Sequence, residues 1–202
     1  MSPIRLRTRT WRPGAWFHVI MRGNNRMNVY NTDMDKYHLM RCLADARIRY
    51  DFTMIAYCIM SNHFHFLLKS EDDLSKIMRL INRRYTDYYS KKYKHVGRIY
   101  QSRYFAKTVE SPSALLMVSR YIHRNPIETK VPMVTELAAY PHSSFPFYMK
   151  DTTPPDYLNT EFLPGCLPAA YDASQEGYVT YCLQTIEEQE DMILAAWLKD
   201  ME

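Results

Sequence analysis

Ser61-Asn62-His63-Phe64-His65-Phe66-Leu67-Leu68-Lys69 reads as a tight turn running into a β-strand, and its alternation decides how the sheet is used. Successive side chains on a strand point to opposite faces, so His63 and His65 share one face while Phe64 and Phe66 share the other. The phenylalanine face suits packing against helices. The imidazole face is half of a divalent-metal site, although histidines that only pack or hydrogen-bond show the same spacing. Further along, Tyr121-Ile122-His123-Arg124-Asn125-Pro126 offers a nucleophile and a third ligand.

The segments around this strand set the fold class. Residues 15–22 are mostly apolar and end at Gly23-Asn24-Asn25, a turn signal, so they read as a strand. Residues 33–50 have helical spacing, with Tyr37, Met40, Leu43, Ala44 and Ile48 on one face and Asp33 as the cap. Residues 52–60 form the next strand and 63–69 the one after it. The longest helix spans 71–94, with Leu74, Ile77, Met78, Ile81, Tyr85 and Tyr88 as its apolar stripe, and Gly97 breaks it. A fourth strand covers 103–109. Ser111-Pro112 opens a further helix, with Ser at the cap and Pro in the first turn, and Pro126 ends it near Asn125. The order β-α-β-β-α-β predicts an α+β protein of the ferredoxin-like, split βαβ type, an antiparallel four-stranded sheet with two helices on one face. The histidine strand is central in that topology. The added helix can cover the open face and carry catalysis.

Beyond Pro141 the texture changes, and prolines punctuate the chain. We place a boundary near Asp151, giving a body of residues 1–150 and an acidic C-terminal extension, 151–202. The extension ends in a predicted amphipathic helix, 175–199, with Cys182, Ile186, Ile193 and Trp197 on one side. The charge is divided the same way. The body holds 25 Lys and Arg against 11 Asp and Glu, the extension only Lys199 against 11 acids, for a net +4 over 202 residues. A basic body suggests a polyanion partner, unless it is only a basic solvated surface. The acidic extension either competes with that partner or packs as an accessory layer. Cys42, Cys58, Cys166 and Cys182 have no zinc or redox spacing and read as free thiols in a reducing, cytoplasmic setting. No apolar run is long enough to span a bilayer, so no membrane partner is expected.

Tyr121 and Asn125 are four apart, so they share a helix face one turn apart. On the open sheet face both would reach the histidines, Asn125 as a neutral oxygen ligand and Tyr121 as the nucleophile. Two imidazoles and a carboxamide leave a divalent ion fully charged and coordinatively open. Such an ion can bind a non-bridging phosphodiester oxygen. Tyrosine is a weak nucleophile at neutral pH, with a pKa of about 10. Its attack on phosphorus nevertheless gives an ester that keeps the bond energy for resealing, which favours strand transfer over hydrolysis.

Three stretches then resemble family signatures in order. They are Asn62-His63-Phe64-His65-Phe66-Leu67-Leu68, Gly97-Arg98-Ile99-Tyr100-Gln101-Ser102-Arg103-Tyr104-Phe105 and Tyr121-Ile122-His123-Arg124-Asn125-Pro126. They look like those of the single-tyrosine HUH transposases of bacterial insertion sequences, most closely the REP-associated tyrosine transposases. The resemblance covers roughly residues 10–148, including Tyr140-Pro141-His142-Ser143-Ser144-Phe145. It implies cleavage and joining of single-stranded DNA near hairpins with Mg2+ or Mn2+. By resemblance His63 and His65 bind the metal, Tyr121 forms a 5′-phosphotyrosine link, and Asn125 sits at the third-ligand position. Family members usually carry proline before the Asn-His, where this chain has Ser61. Insertion-sequence relatives act as dimers and the REP-associated branch as monomers, so both monomer and homodimer stay open.

Other residues have two readings each. Arg5, Arg7, Arg9 and Arg12 form a DNA-tracking arm or a solubilising tail. Arg79, Arg83 and Arg84 hold a hairpin stem or form a solvated helix face, and Arg103 joins them as a DNA contact. His18 lies near the site or is structural. His123 reads as surface. Tyr89 is a spare nucleophile or packs. Two other functions compete. A non-catalytic nucleic-acid-binding protein with a ferredoxin-like sheet would show aromatics where the histidines are. A metal phosphodiesterase using water would not need Tyr121.

Overall fold

In a computed structural model, the structure describes residues 11–149, 152–184 and 188–199. Four strands, β1 (Trp16–Arg22), β2 (Phe52–Ile59), β3 (His63–Ser70) and β4 (Phe105–Thr108), form one antiparallel sheet in the order β2-β3-β1-β4. The histidine strand β3 is central, as the β-α-β-β-α-β order predicts. Helices α1 (Asp33–Arg47) and α2 (Leu74–Tyr93) cover one face. There Leu39, Leu43, Ile77, Met78, Ile81 and Tyr85 pack on Phe17, Val19, Met21, Phe64, Phe66 and Leu68. Helix α3 (Pro112–Glu128) covers the other face with Leu115, Leu116, Val118 and Ile122, against Ile55, Ala56, Cys58 and Leu67. The fold is thus the expected ferredoxin-like α+β sheet, closed on its second face by the added helix.

Local chemistry explains where the elements begin and end. Thr32, not Asp33, caps α1. Its hydroxyl accepts from the Asp35 amide, and the Asp35 carboxylate accepts from the Thr32 amide at 2.8 Å, a reciprocal capping box. Its buried face is Leu39, Cys42, Leu43 and Ala46, so the predicted stripe was out of phase, and Tyr37 and Ile48 face solvent. Helix α2 ends at Lys94, which takes the left-handed conformation itself, before Gly97 is reached.

Ser111 caps α3 by accepting from the Ala114 amide at 3.1 Å. Pro126 does not end this helix, which runs on to Glu128. A proline this close to a helix end removes only one amide from the ladder, and the buried ring adds apolar contact in return. Asn125 is therefore held inside a turn of helix rather than at a frayed end.

After α3 the chain passes a short helix, α4 (Pro146–Met149), and returns over it. The predicted helix over 175–199 is two helices, α5 (Gln175–Leu183) and α6 (Glu188–Leu198). Tyr178 and Cys182 of α5 are fully buried with Tyr148 and Leu163 in the α3-side core. Residues 162–182 thus pack as an accessory layer behind α3, while Tyr157 and Leu158 join the α1–α2 core beside Met54 of β2. The expected common face of the longer helix does not form: Ile193 is 60% exposed, and Ile186 lies outside the described residues.

Sandwiched between the sheet and this layer, α3 buries residues on more than one side. His123, expected on the surface, is fully buried. Its Nε2 meets Ser144 Oγ at 2.7 Å and its Nδ1 meets Tyr178 OH at 3.1 Å. Tyr178 OH donates to Ser119 Oγ at 2.9 Å. Burial lowers the His123 pKa from 6.5 to about 3, so the ring stays neutral in the fold. The sign follows. Below pH 6.5 the unfolded chain takes up a proton that the folded chain refuses, so stability falls as pH falls. The unfolding free energy from denaturant titration should be lower at pH 5.5 than at pH 7.5, by up to about 1.4 kcal/mol per pH unit from this histidine. In His123→Gln that slope should be shallower, and an unchanged slope would refute the assignment.

Candidate active site

The strand registers assemble the site. β1 and β3 pair Arg22 with His63 and Ile20 with His65, and β1 and β4 pair His18 with Lys107. Arg22, Ile20, His18, His63, His65 and Lys107 therefore all lie on the face that α3 covers. The His63 and His65 rings stand 4.8 Å apart between centroids, at 89°. The Tyr121 ring meets His65 edge to face at 5.3 Å and His18 at 6.2 Å. Asn125 is 8% exposed, one turn along the same helix, and its Nδ2 donates to the Tyr121 carbonyl at 3.5 Å. Its side chain also comes close enough to His63 to favour the protonated ring. His63, His65, Tyr121 and Asn125 are thus brought together.

The histidines are neutral and oriented. Burial lowers the His63 pKa to about 4, with the Arg22 charge adding to the effect. Burial lowers His65 well below 6.5, and His63, His18 and Arg22 push the same way. His63 Nδ1 lies 2.6 Å from Asn62 Oδ1, so the ring donates there and leaves Nε2 as the lone-pair nitrogen. His65 Nδ1 lies 2.9 Å from His18 Nε2. The remaining nitrogen, His65 Nε2, is buried without a hydrogen-bond partner. An orphaned imidazole nitrogen fixed by a hydrogen bond at its other nitrogen is what a metal-ligating histidine looks like before the ion arrives. His18 is thus at the site, orienting His65.

These residues fit a divalent ion. Among the described residues no group of three His, Cys, Asp or Glu forms a closed metal cage. Two imidazoles and the Asn125 carboxamide make a different set, neutral and open, suited to an ion shared with a phosphate.

Helix α6 lies over this site. The Trp197 ring stacks on His18 at 5.4 Å and 13°, and Lys107 Nζ donates to the Trp197 carbonyl at 2.7 Å. Tyr121 shares a cavity of about 390 Å³ with Met192, Leu194, Ala195 and Leu198. The charge pattern of the extension suggested an interaction with the body but not this contact, which is apolar and aromatic.

The remaining candidates divide. Tyr89 is buried among the α1–α2 core residues, on the other face of the sheet, so it packs and does not reach the histidines. Arg12 pairs with Glu110 at 3.1 Å and Arg84 with Asp45, both at the protein surface. Arg83 is exposed on α2. Arg5, Arg7 and Arg9 lie outside the described residues. Arg79 and Arg103 line one cavity of about 580 Å³, together with Arg98, Asn82, Met21 and Tyr104. All four cysteines are free, and among the described residues no helix is long and apolar enough to cross a membrane.

The model of the IS200-like transposases matches residues 13–125, more than half of the chain and the whole of the sheet and its site. The chain belongs to the IS200-like transposase family. This transposase also shares its fold with the REP-associated tyrosine transposase solved bound to a REP hairpin. The TM-score is 0.61 at 20% identity, over 79% of this chain and 92% of the other. A transposase-type protein from Deinococcus radiodurans is matched at TM-score 0.41 and 16% identity, over 57% and 94% of the two chains. The tRNA(His) guanylyltransferase of Saccharomyces cerevisiae is matched at 0.43 and 11%, over 92% and 78%. No curated protein sequence matches the transposase. Membership makes it a DNA-cleaving enzyme by family.

Proposed function

We propose that this transposase cuts and rejoins single-stranded DNA beside hairpins through a 5′-phosphotyrosine link at Tyr121. The observation that carries the reading is the Tyr121 ring set 5.3 Å from His65, whose Nε2 is buried and unpartnered. His63, His65 and Asn125 would hold Mg2+ or Mn2+, which supplies Lewis-acid polarisation of a phosphate oxygen when bound. In the step, the Tyr121 oxygen bonds to phosphorus as its proton leaves to solvent. The bond from phosphorus to the 3′ oxygen breaks, and that oxygen takes up a proton. Attack by a 3′ hydroxyl on the tyrosyl ester reverses the step and reseals a strand. No external energy source is needed, because the ester bond is conserved.

The basic cavity supports the DNA part of the reading. Arg79, Arg98 and Arg103 rim it, and Asn82 Oδ1 is buried there without a partner, an acceptor for a base amino group. The solved relative with a bound REP hairpin makes a hairpin the first DNA to try. Incubation with manganese and a pool of hairpin oligonucleotides with randomised flanks tests the reading, with covalent protein–DNA capture as the expected result.

The place of α6 gives a second expectation. A chain ended after Gln184 keeps the buried α5 layer and loses only the cover over Tyr121. Its rate of covalent capture should rise about tenfold, the equivalent of about 1.4 kcal/mol of helix docking. An unchanged rate would mean that α6 leaves readily or does not obstruct DNA. A cut after Lys150 would not be informative, because it removes Tyr178 and Cys182 from the core.

A further inference from the structure

We infer that Arg22 holds the phosphodiester group that Tyr121 attacks, in the site proposed above. Arg22 ends β1 directly opposite His63, on the same sheet face as both histidines. It is half-buried, and among the described residues its guanidinium has no hydrogen-bond or ion-pair partner. Arg12, Arg47, Arg84 and Arg124, by contrast, meet carboxylates.

An unpaired cation beside two metal-ligating imidazoles is electrostatically adverse, because it repels the ion the site must collect. The repulsion becomes an asset once an anion lies between them. A phosphodiester offers two non-bridging oxygens, one for the ion and one for the planar guanidinium fork. Charge on those oxygens grows as the Tyr121 oxygen bonds to phosphorus, and a donor already in place stabilises it without reorganisation.

Topology also places Arg22 on the path of a strand. Its neighbour Met21 points to the opposite sheet face and lines the basic cavity of Arg79, Arg98 and Arg103. The segment lining that cavity is tied to the end of β1, by the Gln101 amide on the Arg22 carbonyl at 3.1 Å and the Asn24 amide on the Ile99 carbonyl at 2.8 Å. DNA leaving the cavity for the histidine site crosses the end of β1, where Arg22 stands.

The test uses the full chain. Strands captured by the unmodified protein from the hairpin pool with manganese are sequenced to fix the cleavage position. At saturating DNA, Arg22→Gln should then slow capture about 10²-fold. A second readout needs neither metal nor reaction. In chelator, an uncharged methylphosphonate at the cleavage position should weaken binding to the unmodified protein roughly tenfold and leave binding to Arg22→Gln unchanged. An equal methylphosphonate penalty in both proteins, or capture by Arg22→Gln at the normal rate, overturns the assignment and leaves the strand-transfer reading intact. If Arg22→Gln melts early, Arg22→Lys carries the test, since it keeps the charge and loses the fork. At an unchanged melting temperature, capture slowed about tenfold or more supports the role, and capture at the normal rate opposes it. Failure of the unmodified protein to capture any strand removes the strand-transfer reading itself, and the role of Arg22 with it.

Discussion

Tyr121→Phe is expected to abolish covalent capture of DNA, a loss of roughly 10⁴-fold or more, while hairpin binding stays within about twofold. The substitution removes one oxygen from a half-buried side chain whose ring contacts with His65 and His18 are made by its edge and face. Packing should therefore survive. No other tyrosine is placed to substitute among the described residues at the site, since Tyr89 lies across the sheet. Capture on denaturing gels and binding by fluorescence anisotropy separate the two effects. Residual cleavage at a normal rate, with a free 5′ phosphate, would assign the attack to water and make Tyr121 a packing residue.

The second large effect is expected at His65. His65→Ala removes the orphaned Nε2 and leaves His18 without its partner, so metal-dependent capture should fall by about 10³-fold. That is the scale at which catalysis loses an electrostatic stabiliser. Manganese binding followed by calorimetry should weaken in parallel. Excess chelator should reproduce the loss in the unmodified protein, and added manganese should reverse it. Capture that persists in chelator would exclude the metal role of His63, His65 and Asn125 together.

The parts of this molecule that could be read from its residues are those with a strict local period. Alternation on β3 separates Phe64 and Phe66 from His63 and His65 without knowledge of any partner strand. The α2 stripe is equally plain from Leu74 to Tyr85, where Leu74, Ile77, Met78, Ile81 and Tyr85 are all buried, although Tyr89 and not Tyr88 continues it. Positions fixed by distant partners were not legible. His123 looks like a surface residue until α5 supplies Tyr178, 55 positions away. The ion pairs of Arg12 with Glu110 and of Arg84 with Asp45 join residues 98 and 39 positions apart, which no local pattern shows. The phase of α1 was misread because Asp35 and Lys36, polar by type, are buried. Asp35 is held by Lys92, Tyr88 and Tyr93, which keep its carboxyl at about 2 against the cost of burial.

At the site, the spacing of Tyr121 and Asn125 could be read, and so could the pairing of the histidines. Arg22 could not. Its parity with His18 on one strand was visible, but its position opposite His63 is a matter of strand register, which depends on pairing between β1 and β3. The cover by α6 was also hidden. It depends on Trp197 stacking on His18 across 179 positions of chain, and nothing in the local pattern of either segment announces it.

The central claim is a covalent bond between Tyr121 and the 5′ end of a cut strand. Peptide mapping of the captured complex by mass spectrometry addresses it directly. Protein incubated with manganese and the hairpin pool is digested with trypsin and nuclease, and nucleotide-bearing peptides are sequenced. The account predicts a phosphonucleotide on the tyrosine of the peptide Tyr121-Ile122-His123-Arg124, and a free 3′ hydroxyl on the released strand. A nucleotide on any other residue, or cut DNA with a 5′ phosphate and no modified peptide, would contradict it.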